Sequence, residues 1–121
     1  MTVAETIKFH ENIGKTWLLK GYYHGGDTKH LKSKGVVYVL IKNIKELNTG
    51  DEFRDHTHIE VSEAIYERYF KNAKIKEYVE FTAKTYYYSK SFTSWQPYVR
   101  KAVGLKDMNE IKIKQDEKEI D

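Results

Sequence analysis

Three stretches of this chain, 13–24, 53–61 and 76–90, alternate apolar and polar residues with a period of two, the spacing of a strand with one buried face. A fourth, 35–47, is apolar and rich in β-branched residues from Val36 to Ile41, which suits a central strand. Only Ser62 to Lys71 repeats at three and four, through Val61, Ile65 and Tyr69 with Tyr66 and Phe70. It predicts a short helix with Ser62 as its N-cap and Glu63 in its first turn. The chain must therefore be built around a sheet, with one helix between its third and fourth strands.

The alternation assigns faces. In the first strand Trp17, Leu19 and Tyr23 point one way and Thr16, Leu18, Lys20 and Tyr22 the other, and Gly21 between them predicts a bulge or sharp bend. Gly25-Gly26-Asp27 reads as the turn that stops this strand, and His30 to Lys34 as a lysine-rich loop. Asn48-Thr49-Gly50-Asp51 breaks the second strand from the third, where Thr57, Ile59 and Val61 oppose His56, His58 and Glu60. In the fourth, Val79, Phe81, Ala83 and Tyr87 are expected in the core, with Glu80, Thr82, Lys84, Tyr86 and Tyr88 outside. Ser91 to Pro97 reads as a loop, followed by short closing strands at Tyr98 to Val103 and Glu110 to Lys114. Residues 1–114 make one domain, and 115–121, with four acids and one lysine, make an acidic flexible tail.

Composition excludes whole classes of chemistry. With no Cys among 121 residues, disulfides, thiolate metal sites and a Cys nucleophile are impossible. The longest apolar run, Val36 to Ile41, falls far short of the ~20 residues that span a bilayer. The start of the chain carries no basic-then-apolar signal pattern, so a soluble cytoplasmic protein without a membrane partner is expected. Gly14-Lys15-Thr16 lacks the upstream glycine of a phosphate-binding loop. Asp55, His56 and His58 could be written into a catalytic triple with a serine, but such triples arise by chance in a chain with this many polar residues, and no enzyme is expected. His56 and His58 share a strand face and are a weak candidate pair of metal ligands; two are too few for a zinc site. No cofactor is expected.

Charge is segregated along the chain. Residues 12–45 carry seven lysines against Asp27, and 46–80 carry nine acids against five bases. Residues 81–106 carry five bases and no acid, and 107–121 carry six acids against three lysines. A net charge of +3 can thus hide a strongly positive face if the two basic stretches meet.

The order strand, strand, strand, helix, strand, closing strand is that of an OB-like partly open barrel of five to six strands. The runs Arg54-Asp55-His56-Thr57-His58-Ile59 and Tyr78-Val79-Glu80-Phe81-Thr82-Ala83-Lys84, with Gly104-Leu105-Lys106, resemble small OB-like proteins of phages and mobile elements over about residues 13–114. The resemblance implies single-stranded nucleic-acid binding in phage or mobile-element DNA metabolism.

The residues offer chemistry for it. Between Lys84 and Lys101 stand Tyr86, Tyr88, Lys90, Phe92, Trp95 and Arg100 with no carboxylate among them. Single strands are held by aromatic rings that stack on bases and cations that neutralise phosphates. Lys20 and Tyr22 on the first strand, and Lys32 and Lys34 in the loop after it, complete the candidate set. DNA with low sequence specificity is the expected ligand. The alternative is a protein-interaction module or inhibitor that uses the same aromatic and basic residues as anchors, and the opposed charges also permit a dimer.

Overall fold

The computed structural model describes the backbone of residues 7–93 and 96–118 and the side chains of 7–88, 102–114 and 117. The chain is mainly β: β1 (Thr16–Asp27), β2 (Val36–Glu46), β3 (Glu52–Ser62), β4 (Glu77–Thr93) and β5 (Gln96–Lys118). They form one antiparallel sheet in the order β3-β2-β1-β4-β5. The edge strands β3 and β5 approach each other, but no ladder joins them among the described residues, so the sheet is not closed by hydrogen bonds.

One face of this sheet holds the core. Trp17, Leu19 and Tyr23 from β1, Ile59 and Val61 from β3, and Val79, Phe81 and Ala83 from β4 are all buried, as their alternation predicts, and Val37, Val39 and Ile41 from β2 and Phe53 from β3 join them. Gly21 sits where the sheet bends. The pairs Lys20–Lys45 and Tyr22–Lys42 leave Asn43 and Ile44 together opposite Gly21, so the expected irregularity is a bulge on β2.

Short helices cover the two ends of the core. The helix after β3 opens as α3 (Glu63–Ile65) and widens into a π turn over Tyr66–Phe70. Ser62 caps it, its Oγ accepting from the Ile65 N–H at 3.2 Å, and Phe70 stacks on Tyr23 with ring centroids 5.2 Å apart. At the other end lies α1 (Lys8–Glu11), whose Phe9 is fully buried against Trp17 and edge-on to Phe53. Lys8 bonds Glu46 and, at 2.6 Å, Asp51, which ties α1 to the turn between β2 and β3.

Several readings of the sequence are corrected. β1 runs through Gly25 and Gly26 to Asp27 instead of turning there, because a second bulge absorbs the glycines. The lysine-rich loop contains one helical turn, α2 (Leu31–Lys34). Residues 91–93 and 96–97 belong to strands, with Ser91 paired to Val99 and Thr93 to Gln96, and the two short closing strands are one long β5. The positive φ values of Asp107 (53°) and Glu110 (50°) place bulges in β5 that interrupt its alternation without ending it. Finally Tyr87, expected in the core, is 48% exposed and lies beyond Thr16–Lys84, the last β1–β4 pair. β5 also runs to Lys118, into the segment read as a tail; residues 119–121 lie outside the described residues.

Candidate nucleic-acid interface

The outward positions of β4 and β5 form the aromatic and basic surface. Pairing sets Lys84 opposite Lys106 and Tyr86 opposite Gly104. Gly104 presents no side chain, and the Tyr86 and Tyr88 rings lie over it: a β-carbon added there would meet the Tyr86 ring at 2.9 Å and the Tyr88 ring at 3.1 Å. The two rings pack at 5.7 Å, tilted by 38°, and the Lys106 ammonium stands 5.4 Å from the Tyr86 ring centre. Neither Lys84 nor Lys106 has a carboxylate partner among the described residues. Like charges directly opposite in an antiparallel pair repel, so an anion shared by the two ammonium groups would relieve the pair.

Farther along the same face the charges are satisfied internally. Glu80 accepts from the Tyr78 hydroxyl at 2.9 Å and pairs with Lys114 at 3.4 Å. Burial pushes the Glu80 carboxyl up, but Tyr78 and Lys114 outweigh it and hold it below the usual range. Burial, then the bond to Glu80, raises the Tyr78 hydroxyl. Tyr22 meets Tyr78 edge-on at 5.8 Å, and Lys20 faces Glu80 on β4 and Lys45 on β2.

On the neighbouring pair of strands, Tyr38 of β2 stands opposite Glu60 of β3. Burial raises the Tyr86 hydroxyl first, with Tyr88 and Glu60 adding to it. Burial likewise raises Tyr38, whose hydroxyl donates to Glu60 Oε1 at 3.1 Å.

Of the residues expected to make a site, Lys84, Tyr86 and Tyr88 share one patch, and Lys20 and Tyr22 lie on the same outer face through β1. Lys32 and Lys34 stand on α2, exposed. Lys90, Phe92, Arg100 and Lys101 fall on the β4–β5 hairpin beyond the sheet, where Lys90 pairs with Arg100 and Ser89 with Lys101; their side chains, and all of Trp95, lie outside the described residues. His56 and His58 are exposed on β3 opposite Lys42 and Leu40, and no group of three metal-ligating side chains occurs among the described residues.

Sequence reasoning missed Lys106, Tyr38 and Tyr78 as parts of this surface. A signal existed for Lys106: Gly104 two residues before it, in an acid-free stretch, is a bare position where neighbouring rings can lie. No helix among the described residues is long and apolar enough to cross a membrane. Against family models, curated proteins and solved structures alike, the chain finds no match.

Proposed function

We propose that the protein binds single-stranded nucleic acid, DNA above all, along the outer face of β4 and β5 and onward over the hairpin beyond them. The observation that carries this reading is the Lys84–Lys106 pair beside the Tyr86–Tyr88 rings. Two uncompensated cations attract phosphates, and adjacent flat rings with an exposed side offer stacking worth ~1–3 kcal/mol per base. We further read the sheet as an OB-like partly open barrel. Its strand order, the helix between β3 and β4, and the approach of β3 to β5 support that reading, and OB-folds bind oligonucleotides on this kind of face.

The test is fluorescence anisotropy of a labelled oligothymidine of about 20 nucleotides at low salt, beside a duplex and an RNA of equal length. Micromolar or tighter binding that prefers the single strand is expected. The double variant Lys84→Glu, Lys106→Glu should weaken it at least about tenfold, because it turns two attractive phosphate contacts into repulsive ones. No binding by the wild type at low salt would overturn the reading, and the same surface would then stand as a protein interface.

A further inference from the structure

The second bulge of β1 opens a groove that the surface above does not use. Tyr23 pairs with Ile41 and Gly26 with Val39, so His24 and Gly25 together oppose Leu40 alone. Gly25 has φ +114°, a backbone that residues with a β-carbon rarely adopt. The two glycines lie along one wall of a groove of about 210 Å³. His24 and Asp27 on β1, Leu40 and Tyr38 on β2, and His58 on β3 complete the lining. Its volume lies below the ~300–1,000 Å³ of drug-sized pockets and suits one flat heterocycle.

Two features give this groove a direction of recognition. Tyr38 is fixed in place, held by Glu60 at 3.1 Å and by the edge-on His30 ring at 5.3 Å. Asp27 is fixed as well: its Oδ1 accepts the Lys29 N–H at 2.9 Å, while Oδ2 is 3.8 Å from the Lys29 ammonium and keeps acceptor capacity. The Lys29 N–H above all, then the charges of Lys29, His30 and His58, hold this carboxyl below the usual carboxylate range. The groove therefore offers an ionised acceptor beside an aromatic and aliphatic surface.

We propose that this groove receives one base of a bound single strand and selects guanine. Guanine is the base whose Watson–Crick edge places two adjacent donors, N1–H and the exocyclic N2–H, where a carboxylate can accept both. Adenine and cytosine put an acceptor beside their single amino group, and thymine flanks its one N–H with two carbonyls, so each sets a lone pair against Asp27. The inference rests on the single-strand reading, and adds one selective position to a track that is otherwise tolerant of sequence.

The test uses four labelled oligothymidines that differ only in one central nucleotide, dG, dA, dC or dT, titrated into the full chain. The strand with dG should bind about tenfold tighter than the one with dT, the discrimination expected of one bidentate contact. In Asp27→Asn that gap should close while the all-thymidine affinity holds or rises, since a negative charge has been removed. A second readout needs no variant: guanosine monophosphate should shift the amide resonances of Gly25 and Gly26 more than cytidine monophosphate does. Equal affinity of the wild type for all four strands, or a guanine preference that survives in a folded Asp27→Asn, would overturn the groove assignment and leave the single-strand reading standing. Failure of every strand to bind at low salt would sink both.

Discussion

A methyl group added at Gly21 would lie 2.6 Å from Ile41 Cγ2 and 2.9 Å from the Lys42 carbonyl oxygen. The second neighbour is main chain within a bulge and has little room to yield. Gly21→Ala is therefore predicted to destabilise the fold by about 1–3 kcal/mol, the usual consequence of overpacking. A urea titration should show a lower midpoint with an unchanged slope; an unshifted midpoint would mean that the bulge relaxes freely. This residue was legible in the sequence, because a glycine inside an alternating run has few other reasons to be there. Tyr87 was not. Its alternation places it with Phe81 and Ala83, yet its hydroxyl donates to the His10 carbonyl at 3.1 Å on the surface, because a period of two says which side a residue takes and not where its partner strand stops.

Among the elements, α1 shows how a few residues can hold two distant parts of the chain. Its four residues are too few to display a helical period, and one apolar anchor, Phe9, does the packing, which is why sequence reasoning passed over it. Lys8 supplies the polar half of the attachment. Asp51 and Glu46 raise the Lys8 ammonium above its ordinary range, and Lys8 in turn lowers both carboxyls. Groups with lowered carboxyl pKa stabilise the folded state above the ordinary carboxylate range and lose that contribution as the pH falls through the lowered values; a raised lysine loses its contribution only as the pH rises past about 10.4. Lys8→Met should therefore be less stable than the wild type at pH 7, and the gap should narrow by about pH 3. Urea midpoints at the two pH values measure it, and an equal gap at both would show that the network acts through packing alone. The same scale explains the single β5. Bulges at Asp107 and Glu110 need positive φ from residues that rarely signal it, so one coiled strand looks like two short ones.

For the molecule as a whole, the segregated charge along the sequence becomes a divided surface. Glu80 neutralises Lys114 on one part of the sheet, while Lys84 and Lys106 stand uncompensated on another. The first and last basic stretches do meet, through the β1–β4 ladder, as the sequence left open. If four cations of this surface, Lys84 and Lys106 among them, each release a counterion from one phosphate, the single-strand slope of ~−0.7 per phosphate predicts about fifty-fold weaker binding at 200 than at 50 mM salt. Anisotropy across that salt range gives the slope directly, and a slope near zero would rule out phosphate neutralisation as the source of affinity. Strand number, helix position and inward faces were readable because each depends on local period. The approach of β3 to β5 was not, because it depends on how far the edge strands curl toward each other.

The strand order also bears on how the molecule can assemble. β1 lies at the centre of the sheet, yet Leu19 finds its β4 partner only at Phe81, whereas β2 and β3 pair across one short turn. The β1–β2–β3 meander can thus form early and must wait, one side of its middle strand bare and its apolar face uncovered, until residues 78–84 arrive. Such distant pairings belong to the millisecond-to-second class of folding rates. During that interval the open edge of β1 is the place where a second chain could pair in place of β4, so misassembly of this protein should begin at its centre and not at its rim.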